Sequence, residues 1–205
     1  MGHPDQLGLI DPGEPYYDEA LSQWYTPPDL AQRIVAWALR GTEGSLRILE
    51  PSAGDGALIR PLSAIHRATA YEIDLRRMAV LSCLDQVEEV RPVGYLGHWS
   101  GDHWDLAIMN PPYENGAAER FVRKAVTECD RVVALLRASA LFGVERWGIL
   151  WSQVAITRLA LLTRRPQFGG AQSQSPAGDY VVVECRRRRE EARLTEASRV
   201  EVEWW

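Results

Sequence analysis

Four consecutive residues, Asn110-Pro111-Pro112-Tyr113, combine groups suited to holding a planar amino group. Two adjacent prolines fix φ and donate no N–H, so the carbonyls of Asn110 and Pro111 are held in an extended, acceptor-rich presentation. The Asn110 side-chain oxygen and the Pro111 carbonyl can then accept both amino hydrogens, while Tyr113 offers a flat face to the ring or amide that carries them. As an isolated tetrapeptide the same residues read equally well as a turn. Their setting argues for chemistry. Residues 106–109 are a short apolar run ending at that turn, the pattern of a central strand covered on both faces in a parallel sheet. Ligands of such sheets lie beyond the carboxyl ends of the strands, where Asn110 stands.

A second loop carries charge and glycine together: Glu50-Pro51-Ser52-Ala53-Gly54-Asp55-Gly56. It follows a predicted strand at 47–50 and leads into a predicted helix at 57–65. Gly54 and Gly56 allow a tight turn and close backbone approach to a ligand, and the helix start presents unsatisfied N–H groups. A dinucleotide fingerprint requires a third glycine at position 59, where Ile59 stands. The carboxylates of Glu50 and Asp55 suit a cation better than a pyrophosphate, and S-adenosylmethionine, with its sulfonium and amino groups, is such a ligand. At the end of a predicted strand over 68–72, Glu72 is placed to accept hydrogen bonds from ribose hydroxyls. A glycine turn alone also reads as a plain strand-to-helix connection; Glu72 and Asn110 at the ends of two other strands make it part of a site.

The elements around these loops alternate. Residues 1–23 hold Gly, Pro and acidic residues without periodicity and read as a flexible arm. Pro27 and Pro28 begin a helix with Asp29 in its first turn, and Leu30, Ile34, Trp37 and Ala38 share a face before Gly41 ends it. After the strand at 68–72 come a helix at 75–84, a weak strand at 90–95, the strand at 106–109, a helix at 117–128, a strand at 131–136 and a helix at 144–153. Two strands, 156–162 and 180–184, are separated by a Gly, Ser and Gln-rich loop without a helix and therefore pair antiparallel. This is α/β organisation, a doubly wound sheet with one odd edge, in a single domain over 24–185 followed by a charged tail over 186–205.

Composition sets outer limits. At 205 residues, 46% apolar and 25% charged, the chain has length for one full core. Cys83, Cys129 and Cys185 lack CxxC spacing, so neither a disulfide framework nor a metal site is expected, and a reducing, cytoplasmic setting fits. No leader with a charged start and an apolar run is expected, and Arg137, Glu145, Arg146 and Arg158 interrupt the apolar stretch over 132–162, so no membrane association is expected. A net charge of −5 leaves only local basic patches for nucleic acid: Arg164-Arg165, and Arg186 to Arg189, whose neighbours Glu190 and Glu191 favour a solvated face.

Trp24-Tyr25-Thr26-Pro27, residues 49–56, Tyr71-Glu72-Ile73-Asp74 and Asn110 to Tyr113 resemble, in that order, the motifs of S-adenosylmethionine-dependent DNA adenine-N6 methyltransferases whose cofactor motifs precede the catalytic one. Spanning roughly residues 24–184, the resemblance implies a Rossmann-like class I methyltransferase, mostly parallel with an antiparallel terminal hairpin. It implies that Tyr25, Thr26 and Pro27 border the methionine end of the cofactor, that Glu50, Pro51, Ser52, Ala53, Gly54, Asp55 and Gly56 cradle it, that Glu72 holds the ribose and that Ile73 packs on the adenine. Asn110, Pro111, Pro112 and Tyr113 would be catalytic, with Asn110 also beside the cofactor. After its third strand the family places an acidic residue and then an aromatic; Gly97-His98-Trp99 stands here, so Trp99 would cover the adenine and His98 would replace the carboxylate.

The substrate implied is the exocyclic amine of adenine in DNA, extruded from the stack and held against Tyr113. Phe168, after Arg164-Arg165-Pro166-Gln167, resembles the aromatic that supplies the second face, and is equally well an ordinary loop or core phenylalanine. Arg164 and Arg165 would contact the substrate beside it. RNA bases are the first alternative. A protein glutamine amide is another, although enzymes of that type carry a helical domain before the first strand and this leader is short. A non-catalytic binding subunit is the last, motivated by His98. Sequence choice would come from short loops, a specificity partner or a homodimer.

Overall fold

The computed structural model describes residues 25–168, 178–188 and 199–205. Strands β1 (Arg47–Glu50), β2 (Arg67–Tyr71), β3 (Val87–Arg91), β4 (Trp104–Met109) and β5 (Cys129–Arg137) are parallel. Beyond β5, strands β6 (Val154–Leu161) and β7 (Tyr180–Arg187) pair antiparallel, with β7 inserted between β5 and β6, and β8 (Glu201–Trp204) runs parallel to β6. The sheet order is β3-β2-β1-β4-β5-β7-β6-β8. Chain order reverses between β1 and β4, and such a switch point opens a crevice at the strand ends.

Alternation along the central strands explains why both faces are covered. In β4, Leu106 and Ile108 point into one apolar cluster and Ala107 and Met109 into the other; in β5, Val133 and Leu135 oppose Val132, Ala134 and Leu136. Helix α1 (Pro28–Ala38) closes the first face with Ala31, Ile34, Val35 and Ala38. Its start follows from Pro27 and Pro28: the Pro27 carbonyl accepts from Ala31 N at 2.8 Å, and Pro28 lacks only an N–H that would be unpaired there. Helix α2 (Leu75–Leu81) adds Leu81 to that face and is capped by the Asp74 carboxylate, which accepts from Arg76 N at 2.9 Å. Helix α3 (Ala117–Glu128) closes the opposite face with Ala118, Phe121, Val122, Ala125 and Val126, spaced three and four apart.

Four expected elements differ. Residues 57–65 form turns in place of a helix: Arg60 N bonds the Gly56 carbonyl at 2.9 Å, but Pro61 has no N–H to continue the ladder and its ring crowds the preceding turn. The third strand is Val87–Arg91 rather than 90–95, because Pro92 cannot donate to the ladder; Val93 N folds back to the Arg91 carbonyl at 2.9 Å. Residues 144–151 make two short helical turns, the second wide, with Ser152 N on the Trp147 carbonyl at 2.9 Å. The tail expected over 186–205 returns to the sheet: Arg186 and Arg187 end β7, and β8 pairs Glu201, Val202, Glu203 and Trp204 with residues of β6. The arm over 1–23 lies outside the described residues, as do Trp24 and Arg189.

Candidate active site

Asn110 leaves the end of β4 at the switch point, and its side chain is gripped from two sides. Its Nδ2 donates to Thr26 Oγ1 at 3.1 Å, and its Oδ1 accepts from the Tyr113 hydroxyl at 2.5 Å. The Asn110 carbonyl accepts from the Ser52 hydroxyl at 3.3 Å. Thus the segment before α1, the loop after β1 and the Asn-Pro-Pro-Tyr turn meet at one amide. The Tyr113 hydroxyl has a second acceptor, the Leu135 carbonyl, at 3.3 Å, and the Arg137 guanidinium lies over the ring with Cζ 5.3 Å from its centroid. Burial raises the Tyr113 phenol well above its ordinary range, so it stays a neutral donor at neutral pH.

These residues form one wall of a cleft at the strand ends. Tyr25, Thr26, Glu50 to Asp55, Glu72 and Ile73 contribute the rest of the expected set. Three carboxyl groups face the cleft. Burial raises Glu50 to about 8, against the opposing pull of its Ser52 contacts and with the carboxylates of Glu72 and Asp55 adding to the rise. Glu72 is also raised, by burial. Its Oε2 accepts from Gly54 N at 2.7 Å, and its Oε1 from Ile73 N at 2.7 Å and Asp74 N at 2.8 Å. A carboxylate has about four lone-pair sites, so Glu72 clamps the loop after β1 to the end of β2 and retains room for one further donor.

The two loop glycines differ in purpose. At Gly54, φ is +55° and an added Cβ would stand 2.9 Å from Tyr25 Cε1, so the loop and the Tyr25 ring touch. Gly56, at φ +83°, would meet Leu84 Cδ1 at 2.7 Å and Leu81 Cδ2 at 3.1 Å. It permits packing against the α2 region and does not line the cleft.

Three expectations fall elsewhere. His98 and Trp99 are not in the cleft wall: His98 Nδ1 lies 3.0 Å from the Tyr71 hydroxyl, and Trp99 is 73% exposed. With β3 ending at Arg91, the residues that reach the cleft are Val93, Gly94 and Tyr95. Phe168 is fully buried in the α1-side core, its ring 5.1 Å from Tyr180, whose other neighbour at 5.7 Å is Tyr113. It lies behind Tyr180, outside the cleft, because an apolar ring gains more from the core than from a loop. Arg164 and Arg165 are exposed and line a separate groove with Pro27, so Pro27 faces that groove and not the cleft. Leu58, Tyr71 and Phe121 line the cleft without having been expected there; Tyr71 adjoins Glu72, which was the available signal.

No protein-family model matches the sequence, and no curated protein matches it. Solved structures do match. A candidate RNA methyltransferase from Pyrococcus horikoshii aligns at a TM-score of 0.68 and 20% identity, over 85% of this chain and 91% of that one. Magnesium protoporphyrin IX methyltransferase from Synechocystis, with bound S-adenosylmethionine, aligns at 0.57 and 15% identity over 79% of each chain. A modification subunit of a candidate type I restriction enzyme from Vibrio vulnificus aligns at 0.55 and 13% identity, over 80% of this chain and 44% of its own. At these identities the likeness is one of fold. Together with the strand order and the antiparallel β7, it gives this chain the Rossmann-like class I methyltransferase fold.

Proposed function

We propose that this chain is an S-adenosylmethionine-dependent methyltransferase acting on the exocyclic amine of adenine in DNA. The observation that carries the proposal is the shared cleft: Asn110 to Tyr113 on one side, Glu50, Asp55 and Glu72 on the other. The cleft's residues fit the cofactor. Asp55 offers negative charge to its cationic groups, Glu50 adds to it once a cation offsets the burial that raises its carboxyl, and Glu72 keeps an acceptor site for a hydroxyl. Ile73, 57% exposed at the cleft edge, offers an apolar face to a ring. Bound there, the cofactor supplies an electrophilic methyl group on a sulfonium.

The remaining work falls to Asn110, Pro111 and Tyr113. An aromatic amine is a weak nucleophile because its lone pair is delocalised into the ring. Accepting its two hydrogens at Asn110 Oδ1 and the Pro111 carbonyl favours a more tetrahedral nitrogen, a contact that strengthens as the reaction proceeds. For Oδ1 to do this, the Tyr113 hydroxyl gives up its bond and transfers to the Leu135 carbonyl, its existing second acceptor. Tyr113 then presents its ring to the base, which is flipped from the stack at a cost of a few kcal/mol. RNA is the second reading, favoured by the near full-length match to the P. horikoshii protein.

Methyl transfer from labelled cofactor to separate DNA, RNA and protein pools tests the proposal, followed by nucleoside mass analysis. Wild type is expected to label adenine in DNA, and Asn110→Ala to lose rate much more than cofactor affinity. Methyl on a protein glutamine, or on a cytosine carbon, would overturn it.

A further inference from the structure

We propose that the groove floored by Pro27 and Leu162 and flanked by Arg33, Arg164 and Arg165 binds the phosphate backbone of the strand that carries the target base. The groove begins at Pro27, one residue from Thr26, which holds the Asn110 amide. Strand β6 runs in the same sense as β5 and β4, since β7 is antiparallel to β5 and β6, so the segment after Leu161 emerges at the same end of the strands as Asn110. A strand entering the cleft with one base therefore meets this groove next.

Its charge is the reverse of the molecule's. Three arginines face one carboxylate, Asp29, in a chain of net charge −5. Arg165 is partly neutralised by an exposed pair with Asp179 at 3.2 Å. Arg164 is exposed and has neither an ion pair nor a hydrogen bond among the described residues, so its charge is available. Arg33 is held ready: its Cζ sits 4.6 Å from the centre of the Trp205 ring, and Trp205 is itself fixed by Trp205 N on the Leu161 carbonyl at 2.8 Å. Guanidinium groups fixed beside a reaction centre match phosphate oxygens in charge and geometry. The other basic run lies at the opposite end of the strands, where Arg186 and Arg187 pair with the first residues of β6. It serves as an internal control.

The proposal rests on the nucleic-acid reading above, and the test separates the two. Binding of labelled DNA and RNA oligonucleotides of one sequence, single-stranded and duplex, is measured between about 50 and 200 mM salt, with cofactor affinity measured in parallel. Losing two phosphate contacts makes the slope of log affinity against log salt shallower by about 1.4 on single strands and about 1.8 on duplex. That change is expected for Arg33→Gln with Arg164→Gln, with cofactor affinity unchanged, while Arg186→Gln with Arg187→Gln keeps the wild-type slope. Arg164→Gln alone breaks no hydrogen bond or ion pair among the described residues and should give half the effect. A wild-type slope in both groove variants, or equal losses in groove and control variants, overturns the groove assignment. Wild-type protein that binds cofactor but no nucleic acid overturns the substrate reading and the groove with it. The stronger of the DNA and RNA arms identifies the source of the phosphates.

Discussion

Glu50 is the residue in which position and chemistry conflict most, since a buried carboxyl beside two others resists ionisation. Its folded value of about 8 lies above the ordinary 4.5, so between those values the folded chain holds a proton that the unfolded chain has released. Stability from this group is therefore full below about 4.5 and is lost as pH rises through about 8. The size of the loss is on the order of a few kcal/mol for a shift this large. Glu50→Gln should flatten the dependence of the urea midpoint on pH from about 5 to about 9, raising it above wild type at the alkaline end. A variant profile parallel to wild type would show that the carboxyl is already ionised. A cation in the cleft reverses the balance, so cofactor affinity should rise with pH over the same window in wild type and stay level in Glu50→Gln.

At the scale of elements, what could be read in advance follows from how local the cause is. The strand at 47–50 and the helix at 117–128 were legible because a short apolar run before a glycine turn and three-to-four spacing are carried by the residues themselves. Pro61 and Pro92 were equally visible, and each marks a place where an apolar run suggested continuation that a missing N–H forbids. The second of these shifted the expected cleft contact from Val93-Gly94-Tyr95 to His98-Trp99. Strand β8 carries a period of two in Val200-Glu201-Val202-Glu203-Trp204, hidden by its charge; its pairing depends on distant contacts, with Glu203 accepting from Trp37 Nε1 at 3.0 Å and pairing with Arg40 at 2.7 Å. Of the site, Asn110, Glu50 and Glu72 were readable as chemistry, whereas Phe168 could not be told from a core ring, because burial is decided by the fold. Phe168→Ala should cost about 3–5 kcal/mol of stability, as loss of a buried aromatic does. Equilibrium denaturation with an unchanged midpoint would return Phe168 to the base pocket.

Across the whole molecule, burial is uneven in a way that sets where it opens. Strands β4, β5 and β7 carry side chains at or near zero exposure on both faces, while β3 and β8 are sheet edges without a fully buried side chain. Amide exchange should therefore be slowest in the three central strands, where opening requires global unfolding, and fastest in β3 and β8, where a strand can fray alone. Adding S-adenosylmethionine sharpens the forecast. A ligand that binds only the folded state slows every amide that exchanges through global unfolding, so slowing in β4 or β5 says nothing about where it sits. Amides that exchange by local opening are informative. Residues 50–55, 71–73 and 93–95, which border the cleft, should gain protection, and residues 201–204, far along the sheet, should keep their rates. Protection in β8 with none over 50–55 would move the cofactor out of the cleft and overturn the assignment of Glu50, Gly54 and Glu72 to it.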